Sequence, residues 1–126
     1  MLWIRSLMAI ASVSSLTGVG LTAITAPPVS AQVPTAQVRA LNLARTTAVA
    51  ENGGLGVYRP QPCMFETDTG GGDCLIQNNT EGFTYRFQGG RPGWPYDDSN
   101  GTTETEILIA PDGRSVKGVI YNRTLP

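Results

Sequence analysis

The chain has 126 residues, of which 40% are hydrophobic and 15% charged, and its formal net charge is −1. Those values suit one globular domain and exclude a highly charged disordered chain. Without a basic excess to neutralise phosphates, nucleic acid is not expected as a partner. No histidine occurs anywhere, which excludes Ser-His-Asp and Cys-His catalysis.

The amino-terminal stretch MLWIRSLMAIASVSSLTGVGLTAITAPPVSA, residues 1–31, carries one charge, Arg5, and no other charge occurs before Arg39. A positive n-region, an apolar h-region and the small-residue site Val29-Ser30-Ala31 predict a cleavable signal peptide, with cleavage after Ala31. Ala26 is a poorer site because Pro27 follows it. The apolar run is long enough for a retained anchor, but Ser, Thr and Gly dilute it. No twin-arginine pair and no cysteine near the site point to another export route. A secreted or periplasmic location is expected, with no membrane span after cleavage. Removal of Arg5 with the signal leaves eight basic and ten acidic side chains, a net charge of −2. So short a mature chain buries only about 60–65% of its unfolded surface and gains from a staple.

Residues 32–36 form a leader, and 37–126 are expected to form a single α+β domain. TAQVRALNLARTTAVAENGG predicts a helix capped by Thr35 and ended by Asn52-Gly53-Gly54. Its small apolar stripe runs through Val38, Leu41, Ala44, Ala48 and Val49. Leu55 to Arg59 predicts a short strand, and Pro60 and Pro62 bar regular structure after it.

The stretch CMFETDTGGGDC holds both cysteines, Cys63 and Cys74. In an oxidising compartment they are expected to form one disulfide, with Gly70, Gly71 and Gly72 letting the chain turn. Zinc needs about four Cys or His ligands, and a thioredoxin-like pair needs Cys-x-x-Cys. Glu66, Asp68 and Asp73 lack the ligand spacing of a calcium loop. No metal site and no cofactor are therefore expected.

Leu75-Ile76-Gln77 predicts a short strand, and Phe83, Tyr85 and Phe87 alternate with Thr84 and Arg86 as a strong one. QGGRPGWPYDDSNG, Gln88 to Gly101, breaks both helix and strand. TETEILIA and SVKGVIYN flank Pro111-Asp112-Gly113 as a hairpin. Ile107 and Ile109 are expected to face the helix, as are Val116 and Ile120 or their alternates, and Gly118 marks a bulge or a close neighbour. The predicted fold class is α+β: one N-terminal helix packed on a small antiparallel sheet of three to five strands, with one disulfide.

The run NGGLGVYRPQPC, then FQGGRPGW, then the TETEI strand with APDGRSV and YN, resembles small exported proteins of unknown function from cyanobacteria over residues 38 to 123. The order of helix, strands and PDG hairpin is also similar in architecture to periplasmic PepSY and BamE-type domains. The first resemblance implies no catalytic residues, and the second implies a binding or inhibitory module.

No phosphate-binding glycine motif is present. The one lysine, Lys117, sits in a predicted strand. Asp97, Asp98 and Glu104 are the carboxylates from which a small hydrolase could be built; solvated turn and strand polarity is the favoured explanation of them. The candidate binding residues are Arg91, Trp94 and Tyr96, in a proline-bounded loop whose residue types dominate interfaces. The competing reading folds Trp94 back as a lid on the core. The expected function is a non-enzymatic exported module, a monomer, whose partner is a protein or an envelope component. The alternatives are a structural envelope-associated protein without a ligand site, and the carboxylate hydrolase.

Overall fold

The structure is a computed structural model and describes residues 32–126 together with Gly18 and Gly20. The rest of the predicted signal segment, with its cleavage site, lies outside the described residues. Among the described residues no helix is long and apolar enough to cross a membrane.

Helix α1 spans Thr35–Glu51. Thr35 does not cap it: Pro34 occupies the cap position, and its carbonyl accepts from the Gln37 and Val38 amides. Proline suits a helix start because it lacks an amide that the first turn would leave unpaired. At the far end the Asn52 amide donates to Ala48 and the Gly54 amide to Val49, as the Asn-Gly-Gly signal predicts.

Five antiparallel strands follow: β1 (Arg59–Pro60), β2 (Leu75–Asn79), β3 (Gly82–Gly90), β4 (Thr103–Ile109) and β5 (Val116–Thr124). The sheet runs β1-β3-β4-β5, and β2 pairs along the other part of β3. The predicted α+β class therefore holds, with one α-helix, a five-stranded antiparallel sheet and a disulfide among the described residues. The strand expected over Leu55 to Arg59 reduces to Arg59–Pro60, because Leu55 to Val57 are spent on the turn that leaves the helix. Pro60 does not bar pairing, since it lies on an edge strand opposite Gly89 where no donor is required of it.

Phe83, Tyr85 and Phe87 stand opposite Ile109, Ile107 and Thr105 on one face of the sheet. These aromatics and isoleucines pack with Ala40, Leu41, Ala44 and Ala48 of α1, and with Tyr58, Met64 and both cysteines, in one core. The alanines keep the helix surface low, so the backbone sits close to the sheet. Gln37 and Ala40 are buried where Val38 was expected to be; Val38 is only half-buried. Gln37 is accommodated because its side-chain amide donates to the Gly70 carbonyl at 3.4 Å.

Ile120 does not reach this core and is 54% exposed. The β4–β5 register slips between Glu106 and Ile107 and again between Leu108 and Ile109. Gly118 lies between the two slips and has open space above it, so it marks a bulge and not a close neighbour.

Cys63 and Cys74 form the disulfide, with Cα atoms 5.9 Å apart, within the normal range. Of the loop between them, Met64, Gly70 and Gly71 pack inward, while Phe65 to Thr69 and Asp73 are exposed. Gly70, Gly71 and Gly72 all have positive φ, and a Cβ on Gly71 would lie 2.8 Å from the Tyr85 ring.

Candidate functional site

The loop after β3 folds onto the sheet face opposite the helix. Along β3, residues 84, 86, 88 and 90 project to that face. A Cβ on Gly90 would meet the Trp94 indole at 2.6 Å from Cγ, and one on Gly101 would lie 3.3 Å from its Cζ2. Trp94 thus packs between two glycines and is 9% exposed, outside the main core cluster. It acts largely as the lid of the competing sequence reading, but a lid on the outer face.

The remaining accessible part of Trp94 belongs to a groove of about 410 Å³ lined by Arg59, Pro60, Pro62, Phe65, Gly93, Trp94, Pro95 and Tyr96. Tyr96 is 83% and Phe65 50% exposed. The structure brings Trp94 and Tyr96 together here and leaves Arg91 out of the lining. Arg91 instead donates its Nε to the Asp97 carboxylate at 3.1 Å. Asp97 also accepts the Ser99 amide at 3.1 Å and the Ser99 hydroxyl. The Trp94 amide donates to Arg91 and the Tyr96 amide to Gly93, so the loop is a succession of closed turns. The Trp94–Pro95 peptide is cis.

The opposite wall was not foreseen. A 3₁₀ turn over Pro62–Phe65 carries it. Cys63 ties that turn to Cys74, and α1 braces it. Arg45 donates to the Met64 carbonyl at 2.9 Å and stacks its guanidinium 4.9 Å from the Phe65 ring centroid. Gln61 anchors the wall's start: its amide donates to the Gln88 carbonyl at 2.8 Å, and its side-chain oxygen accepts the Gln88 amide at 2.9 Å. The signal available in the sequence was Pro60-Gln61-Pro62 followed by Phe65, beside a cysteine.

Two of the three carboxylates considered for hydrolysis, Asp97 and Glu104, are engaged in other contacts. The Ser99 hydroxyl and amide, then Arg91, hold Asp97 below the usual carboxylate range. Glu104 accepts the Tyr121 hydroxyl at 2.6 Å and Arg123 at 2.9 Å, contacts that also lower its pKa. Asp98 has a positive φ of 63°. A hydrolytic pair needs one carboxyl that keeps its proton near neutral pH, the reverse of what these contacts do. Among the described residues no cluster of three or more Cys, Asp or Glu side chains is placed to hold a metal.

Comparison of the chain with protein-family models, with curated proteins and with solved structures finds no match.

Proposed function

We propose that the chain is an exported, non-enzymatic binding module that holds part of a partner protein in the groove between Arg59–Phe65 and Gly93–Tyr96. One observation carries this reading: three aromatic side chains and three prolines line a groove whose two walls are each fastened independently. The disulfide and Arg45 fasten one wall, and the Arg91–Asp97–Ser99 contacts fasten the other. Fixed walls lower the ordering cost of binding, and a largely apolar concave lining with few polar groups is the usual character of a ligand site.

The test is capture from envelope extracts by the full chain, beside Phe65→Ser and Tyr96→Ser. A protein retained by the parent chain and lost from both variants is the expected result. An unchanged set of bound proteins would remove the groove from consideration. The burial of Trp94 favours a second reading, a structural protein in which that ring only closes the outer sheet face, and an unchanged set is what it requires.

A further inference from the structure

The polar side chains around the groove restrict what can enter it. They belong to Arg59, Trp94 and Tyr96, whose polar groups are a guanidinium, an indole N–H and a phenol hydroxyl. The structure gives none of them a hydrogen bond or ion pair among the described residues, whereas the neighbouring Arg91 is paired with Asp97. No carboxylate or amide side chain lines the groove. The lining side chains therefore offer donors and ring faces, and acceptors other than the Tyr96 hydroxyl come only from backbone carbonyls.

A sugar brings as many hydroxyl donors as acceptors, and the lining side chains match mainly its acceptors. An ordinary extended peptide brings an amide N–H at each residue, and burying it unpaired is costly. A proline-rich segment brings carbonyl acceptors and apolar rings without those amide donors. Its polyproline II form is extended, already ordered and free of internal hydrogen bonds, and aromatic-lined grooves are a known way of holding it. The one formal charge in the lining is the positive Arg59, which calls for an acidic residue beside the prolines.

Resting on the groove reading above, we infer that the occupant is a proline-rich segment in the polyproline II conformation, with an acidic residue flanking it, seated against Phe65, Trp94 and Tyr96 with its acid toward Arg59. One turn of such a helix is three residues and about 9 Å long, which sets the scale of the contact.

The test uses the full chain carrying Trp3→Phe, so that Trp94 is the only indole. It is titrated with a synthetic peptide of consecutive prolines flanked by two glutamates, and followed by fluorescence and calorimetry. A peptide with alanines in place of the prolines and a soluble chitin oligosaccharide serve as comparisons. The proline peptide is expected to give a saturable change at Trp94, and the comparisons none. Tyr96→Ser and Phe65→Ser should each weaken binding about tenfold or more, as loss of an anchoring aromatic does. Arg59→Gln should weaken it less and remove its salt dependence. Equal binding of the alanine peptide, binding of the oligosaccharide alone, or no saturable binding would overturn the inference. If the proline peptide fails while an extract protein is still lost from Tyr96→Ser, the ligand class falls and the groove reading survives. If both fail, both fall.

Discussion

Tyr58 and Trp94 press on consecutive residues of β3 from opposite faces of the sheet. The Tyr58 ring occupies the place of a Gly89 side chain on the helix side, and the Trp94 ring occupies that of Gly90 on the other. The Gly-Gly pair in FQGG is therefore a two-sided seat for aromatic rings, and the cost of filling it is separable by face.

Gly90→Ala should destabilise the protein by about 1–3 kcal/mol through overpacking and lift Trp94 from the sheet. In the Trp3→Phe background, iodide should quench the parent's fluorescence weakly and that of Gly90→Ala strongly. Gly89→Ala should cost a similar amount while displacing Tyr58 and leaving the iodide response small. Strong quenching of the parent chain would contradict the packing of Trp94.

Removing the disulfide with Cys63→Ser and Cys74→Ser should cost about 3 kcal/mol in urea denaturation, the unfolded-state freedom returned by a loop of this size. The same change loosens the Pro62–Phe65 wall, so capture through the groove should weaken further than stability alone explains. Intact mass of the native protein should rise by two hydrogens on reduction.

Arg45→Gln removes the clamp on Met64 and the cation over Phe65. The exposed cation–π contact is worth about 0.5–1 kcal/mol, and a charged hydrogen bond adds about 1.5–3 kcal/mol. The expected outcome is a fall in melting temperature of about 10 °C or more, with a larger loss of groove binding. Equal losses in both measurements would show that Arg45 supports the fold and not the wall.

Stability should fall at both ends of the pH range. Asp97 and Glu104 have folded pKa values below their ordinary ones. Their contribution is complete above the unfolded carboxylate value, near ~4, and is lost as pH falls through the folded values, where the unfolded chain binds more protons. Burial raises the Tyr85 phenol. Its contribution is complete below the unfolded value, about 10, and is lost as pH rises towards the folded one. Melting temperature should be flat between those limits. Glu104→Gln should flatten the acid limb and Tyr85→Phe the alkaline one. Tyr85→Phe also removes the hydroxyl that donates to the Gln37 carbonyl at 3.2 Å, at about 0.5–1.5 kcal/mol.

The helix, the β3 alternation, the β4–β5 hairpin and the bridged loop were legible in the amino-acid order, because each rests on signals a few residues apart. Period-2 alternation buried Phe83, Tyr85 and Phe87, and Asn-Gly-Gly ended the helix. Ile120 was misplaced because two register slips in β5 are backbone events with no side-chain pattern ahead of them. Of the site, Trp94 and Tyr96 could be picked by residue type, while Arg91 could not be told from a loop brace until Asp97 was seen beside it.

Local chemistry alone thus determined the class of the fold, the disulfide and the choice of aromatic loop. Which face of the sheet Trp94 covers, and the existence of an opposing wall, depended on Arg59–Pro60 pairing with Gly90 and Gly89. Those partners lie far apart in the chain, and their pairing is made by backbone groups and not by side chains. A contact of that kind leaves no mark in the order of side chains, and it forms only when the rest of the sheet has brought the two segments together.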